Sequence, residues 1–220
     1  MATYEKFLEY VSPSVAGATD PLMIRAIRDA CIDFCVQSLF FVQALDPISS
    51  VAGIGDYDVE TPDGTLVTKV KKLWYDINEI ENITQDDLAK PDSLIAQYGI
   101  ITTPGMPKRA FFVTNSSAGN PVLMLDPIPD LSNMNIVILA ALKPARDSTS
   151  VFDQLYEDYA EAIGHGAVAR LMRIKGAVFY DMVQSAIEDK AFRVGINDAM
   201  ARANFGNIGS KQLRVKPVRI

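Results

Sequence analysis

The chain has 220 residues, 49% of them hydrophobic, which suits one large domain or two small ones and supplies a real core. Its net charge is −6, yet Arg202, Lys211, Arg214, Lys216 and Arg219 place +5 after the last acid, Asp198, leaving −11 on the rest. Such an acidic body excludes tight nucleic-acid binding, which needs clustered Lys and Arg, and with no run of about 18 apolar residues and no basic-then-apolar leader in MATYEKFLEY, the expectation is a protein made and used without crossing a membrane.

Residues 1–19 contain Pro13 and Gly17 and little periodicity, so they read as an extended surface arm. Asp20-Pro21 then gives an N-cap with proline at the first helical position. The helix it starts, near 21–37, carries Ile24, Ile27, Cys31 and Phe34 on one face, with Arg25 and Asp29 as an i,i+4 pair on another. Cys31 and Cys35, the only cysteines, lie four apart within that pattern and read as buried free thiols in a reducing compartment.

From about Val51 to Leu142 the period changes to β-branched and aromatic runs broken by Gly, Pro, Asn and Asp. Pro62-Asp63-Gly64 predicts a hairpin turn joining Tyr57-Asp58-Val59 to Leu66–Val70. Further strands are expected at Ala110–Thr114, Val122–Leu125 and Asn135–Leu142, and a short helical turn or loop at Gln85–Leu94. A second long helix, within 151–174, sets Phe152, Leu155, Tyr159 and Ile163 on one side and Glu157, Asp158 and Glu161 on the other. Lys175-Gly176-Ala177 stops it. Asp181 caps a third helix, near 181–203, with Gln184 in the capping-box position and Val183, Ile187 and Val194 marking its buried face.

The predicted fold class is therefore α+β: a bundle of about three main helices, a β-rich insert between the first and second, and an extended C-terminal arm. The corresponding divisions are 1–50 (arm and first helix), 51–142 (insert), 143–204 (two bundle helices) and 205–220 (arm).

Chemistry finds little footing in this pattern. A metal site needs several converging ligands, and the chain offers one histidine and one cysteine pair. His165, between Gly164 and Gly166, reads as a satisfied or solvated imidazole at a close helix contact, with glycines that let another helix or subunit approach. Asp126 and Asp130 frame Pro127-Ile128-Pro129, which is better explained as an edge-strand exit with solvated acids than as an acid–base pair. Gly53-Ile54-Gly55 lacks the third glycine and the Lys-Ser/Thr pair of a phosphate loop, and no nucleophile elbow is present. The aromatics Tyr4, Tyr10, Phe40, Phe41, Trp74 and Tyr75 are not interleaved with basic residues and read as core. The expectation is a protein without catalytic residues, cofactor or metal.

A set of ordered segments carries more. Tyr10-Val11-Ser12-Pro13 leads to Asp20-Pro21-Leu22, Ile24–Ala30 and Phe34-Cys35; Tyr57-Asp58-Val59 precedes Pro62-Asp63-Gly64-Thr65; Leu142-Lys143-Pro144 precedes Tyr156–Ile163, Gly164-His165-Gly166-Ala167 and Ala169-Arg170-Leu171. In this order and spacing the chain resembles the head-to-tail adaptor (connector) proteins of tailed bacteriophages, the tail tubular protein A type of short-tailed phages. Such proteins commonly carry a tryptophan where this chain has Phe179-Tyr180 and Leu39-Phe40-Phe41.

The resemblance implies a structural virion protein of the neck, assembled in the host bacterial cytoplasm. It implies a dodecameric ring that binds a portal protein on one side and a tail tube or nozzle protein on the other, with a central passage for DNA. On that reading Glu157, Asp158 and Glu161 are candidates to line the channel. The arm, in which Leu213, Val215, Val218 and Ile220 alternate with Arg214, Lys216 and Arg219 after Lys211, is the candidate contact with the portal or a neighbouring subunit. A cytoplasmic α+β enzyme or ligand-binding domain, and another phage neck or tail-completion ring, stand as the alternatives.

Overall fold

The computed structural model describes residues 1–83, 104–114 and 121–205. They divide into two compact units, one of Met1–Phe41 with Thr149–Ile220 and one of Val42–Ser148. The architecture is mixed α+β, with four α-helices and thirteen strands in several sheets among the described residues. It corrects the expected three-helix bundle with an insert: β-structure makes up most of the elements, and residues 1–19 fold instead of lying as an arm.

In the first unit, β1 (Ala2–Thr3) pairs antiparallel with β13 (Ser150–Val151), and a 3-10 turn, Tyr4–Phe7, runs into α1 (Leu8–Val11). Ala2, Tyr4, Phe7, Val11 and Val15 are all buried. Their spacing follows a strand, a tight turn and a short helix in succession, so no single period marks them as core. Phe7 packs edge-on to Tyr156 at 5.1 Å between ring centres, and the Tyr156 hydroxyl donates to Glu9 Oε1 at 2.9 Å.

The long helices are α2 (Asp20–Ser38), α3 (Asp153–Leu171) and α4 (Met182–Phe205). The extended residue Thr19, not Asp20, is the N-cap of α2, and Pro21 lies in the first turn, where a missing N–H costs nothing. At its other end Leu39 takes a left-handed conformation and donates its N–H to Cys35 O. Ile27, Cys31 and Phe34 are buried as the periodicity predicts. Phe34 meets Tyr159 of α3 and Phe192 of α4 at 5.0 and 6.1 Å between ring centres.

Asp181 caps α4, its Oδ1 accepting from the N–H groups of Val183 and Gln184 at 2.9 Å each. The Gln184 side chain turns away from the expected capping box and donates to Glu188 Oε1 at 2.7 Å. The buried face of α4 is also not the expected one. Ser185, Phe192, Ile196 and Ala199 are inside, whereas Val183, Ile187 and Val194 are 74%, 58% and 61% exposed.

Two of three close-packed glycines, Gly166 and Gly195, bear on that orientation. A Cβ on Gly166 would lie 2.6 Å from the Phe192 ring, one on Gly195 would lie 2.5 Å from Ala162 Cβ, and one on Gly164 would lie 2.7 Å from Tyr10 Cβ. The glycines flanking His165 thus serve contacts within this chain, with α4 and with the N-terminal segment.

The second unit is all β among its described residues. In its five-stranded sheet β12 (Asn135–Pro144) lies between β5 (Thr65–Tyr75) and β2 (Val42–Ala44), β6 (Asn78–Glu79) continues from β5, and β3 (Ile48–Ser49) pairs with β12. Ile136, Ile138, Ala140, Ala141 and Leu142 of β12 are fully buried, as expected of a central strand with continuous apolar sequence. The four-stranded sheet has the order β4 (Asp56–Asp58), β10 (Pro121–Asp126), β9 (Arg109–Thr114), β7 (Glu81–Asn82). A parallel pair, β8 (Pro104–Gly105) with β11 (Ile128–Pro129), completes the unit.

The expected 57–70 hairpin does not form. Tyr57 pairs with Leu123 of β10 and Leu66 with Lys143 of β12, so the turn at Pro62-Asp63-Gly64 passes the chain between two sheets. The segment Gln85–Leu94 lies outside the described residues.

Gly166→Ala is expected to destabilise the protein. Helix propensity favours Ala by up to about 1 kcal/mol, but overpacking against the buried Phe192 ring costs about 1–3 kcal/mol. A denaturant-unfolding midpoint below that of the wild type checks the sign.

Candidate functional site

His165 is half-buried on α3, its Nδ1 2.5 Å from Glu188 Oε2 of α4 and its Nε2 3.8 Å from Glu161 Oε1. Glu188 also accepts from Gln184, so the only histidine belongs to a hydrogen-bonded cluster tying α3 to α4. Nearby, Arg173 Nε donates to Ser185 Oγ at 3.0 Å while Ser185 Oγ donates to Ala169 O at 2.8 Å, which satisfies a buried hydroxyl between the same helices. Arg170 bridges to α2 through Asp33 Oδ2 and lies over the Phe192 ring.

Asp126, expected to be a solvated acid at a strand exit, is 1% exposed. The cause is register: β10 sets it opposite Arg109 of β9, whose Nη2 reaches Asp126 Oδ2 at 2.6 Å. Asp126 Oδ1 has no hydrogen-bond partner among the described residues. Asp130 is exposed, so the two carboxylates do not converge. Gly53 has φ of +82° in a turn where Ile54 donates its N–H to Val51 O.

Cys31 and Cys35 are buried and free. Burial pushes the Cys35 thiol up to about 12; burial first, then the neighbouring Cys35 charge, pushes Cys31 well above its ordinary range. Neither is a nucleophile at neutral pH, because the thiolate is the reactive form. Among the described residues no group of three or more His, Cys, Asp or Glu side chains converges as a metal site, and no helix is long and apolar enough to cross a membrane.

The remaining features are surfaces. Glu157, Asp158 and Glu161 form an exposed acidic stretch on α3. The arm candidates Lys211, Leu213, Arg214, Val215, Lys216, Val218, Arg219 and Ile220 lie outside the described residues. Unforeseen from the sequence is the apolar exposure along α4 and the connection before it. There Val178 is 96%, Met182 51% and Tyr180 42% exposed, in addition to Val183, Ile187 and Val194.

The sequence held a signal for this. The helix has two apolar faces, and the one with Phe192, Ile196 and Ala199 is the one that Gly195 and Ala162 let approach α3.

No protein-family model matches the chain, and no curated protein matches its sequence. The adaptor resemblance rests on the segments quoted above.

Two outcomes are expected. Arg109→Ala should cost about 3–5 kcal/mol by leaving a buried carboxylate unpaired, and Asp126→Asn should cost less because Arg109 is partly exposed and can be solvated; equilibrium unfolding of both variants ranks them. Stability should also fall with rising pH between about 8.5, where an unfolded thiol ionises, and about 12, where Cys35 ionises in the fold. In that window the unfolded state binds fewer protons, so deprotonation favours it. The slope of unfolding free energy against pH in that window should be more negative in the wild type than in a Cys35→Ala variant.

Proposed function

We propose that this chain is a structural virion protein: a head-to-tail adaptor that assembles as a ring between the portal and the tail tube or nozzle of a tailed phage and leaves DNA a passage. The observation that carries the reading is the outward apolar face of α4, with Val183, Ile187 and Val194 each more than half exposed. Water is a poor neighbour for such a face, and a partner protein removes the cost at about 25 cal/mol per Å² of apolar area covered. A ring supplies that partner in the form of another copy, because each subunit of a closed heterologous assembly presents two different complementary faces.

The acidic stretch Glu157, Asp158 and Glu161 supports the passage part of the reading. Carboxylates along a channel repel phosphates and let a duplex slide, whereas lysines would grip it. The protein acts without turnover, and its partners are other copies of itself, a portal, a tail-side protein and non-specifically passing DNA. The segment 206–220, with its alternating apolar and basic residues, is assigned to the attachment.

Native mass measurement and electron microscopy of the chain mixed with a candidate portal test the reading. Rings on the portal are expected; a chain that stays monomeric at tens of micromolar and ignores the portal contradicts it. Deleting residues 206–220 should leave the circular dichroism and unfolding midpoint unchanged and abolish stable portal attachment. Attachment as strong as that of the full chain rules the segment out as the link.

A further inference from the structure

The four-stranded sheet is open at β4, which pairs with β10 on one side and meets no strand on the other among the described residues. Leu125 donates its N–H to Gly55 O and Val59 donates to Pro121 O, with Tyr57 opposite Leu123 between them. Gly55, Tyr57 and Val59 thus turn their backbone groups toward β10. The N–H and C=O groups of Asp56 and Asp58 face outward, a template for one more strand.

Side chains along this edge alternate strictly. Tyr57 and Val59 are buried, while Asp56, Asp58 and Glu60 are exposed on the opposite face and have no ion pair among the described residues. Acids of one sign on an open edge repel a second β4, which disfavours pairing of two such edges about a two-fold axis. They favour a strand with bases at alternate positions and apolar residues between.

The sequence holds such a strand near its end. In Gln212-Leu213-Arg214-Val215-Lys216 an extended backbone would set Arg214 and Lys216 on one side and Leu213 and Val215 on the other, and no acid follows Asp198. Its span matches that from Asp56 to Glu60, and Pro217, with no N–H for a ladder, ends the pairing. The other run of alternating bases, Lys69-Val70-Lys71, belongs to β5 and is already paired with β12. On the apolar side of the edge, exposed Val51 and Ile54 flank the Tyr57 hydroxyl, which accepts from Val51 N at 3.1 Å and donates to Ile54 O at 2.8 Å.

We infer that residues 212–216 of one copy add as a strand to the β4 edge of a second copy, with Arg214 and Lys216 beside the acids and Leu213 and Val215 on the Tyr57 side. The inference rests on the ring reading: donor segment and acceptor edge are the two different faces that a closed head-to-tail assembly requires. Backbone hydrogen bonds supply affinity and the alternate side chains supply specificity. A ring linked in this way holds a portal through many copies at once, so loss of the link also weakens portal attachment.

Charge reversal in the full chain tests it. One variant carries Asp56→Lys, Asp58→Lys and Glu60→Lys, a second carries Arg214→Glu and Lys216→Glu, and a third carries all of these changes; circular dichroism checks that each folds. By native mass measurement the wild type should form rings, the first two variants should stay monomeric, and the third should form rings again, because a reversed strand meets a reversed edge. Carbodiimide coupling in a mixture of unlabelled and isotope-labelled wild type should join Lys216 to Asp56, Asp58 or Glu60 in products that combine a light and a heavy chain. Rings that persist in either of the first two variants, rings not restored in the third, or couplings found only within one label overturn the inference and leave the ring reading standing. Variants that keep their rings but lose the portal assign the segment to the portal and also overturn it. A wild type that is monomeric with and without portal removes the ring reading itself.

Discussion

The close approach of α3 to α4 is the constraint on which the helical unit depends. Gly166 and Gly195 leave no Cβ where Phe192 and Ala162 must sit, and the Ser185 hydroxyl and Glu188 carboxylate are satisfied across the same contact. Only one rotation of α4 places Phe192 and Ile196 inward against this surface. The same rotation turns Val183, Ile187 and Val194 out. An apolar outward face is thus the geometric consequence of how the core closes, and it supplies the surface from which a protein partner is argued.

The β unit is organised differently, around β12 with neighbours on both sides and a run of fully buried aliphatic residues. Asp126, its one deeply buried carboxylate among the described residues, is held by Arg109 across a β9–β10 pair. Breaking a buried pair costs more than forming it gains, so this contact specifies register more than it adds stability. At the positions with some chemical potential, Asp126 and His165 have structural partners and Asp130 is exposed.

The long helices and the central strands were legible because their periods are sustained: Ile27, Cys31 and Phe34 at helical spacing, and the unbroken apolar run from Ile136 to Leu142. The fold class was not, because its deciding features are non-local. Tyr57 and Leu66 look like partners across a good turn, yet each finds a more distant strand, and nothing within the segment distinguishes the two outcomes. The N-terminal nineteen residues were misread since their buried side chains follow a strand, a 3-10 turn and a short helix in quick succession. On α4 the periodicity identified a real apolar face but assigned it inward, because two apolar faces compete and only the glycine contacts, which join positions far apart in sequence, choose between them. The acidic positions on α3 were read correctly as exposed, since Glu157, Asp158 and Glu161 oppose a strongly apolar face.

The central claim is that the outward face of α4 is a protein-binding surface and not an incidental greasy patch. Hydroxyl-radical footprinting read by mass spectrometry, on the full chain across a range of concentrations and with a candidate portal present, measures it directly. Labelling of Val183, Ile187 and Val194 should be high in the dilute chain and fall several-fold as the chain assembles, while exposed Ile77, 86% accessible at a strand connection, reports any general loss of labelling. Equal labelling of the three α4 residues at every concentration, with and without portal, would contradict the claim.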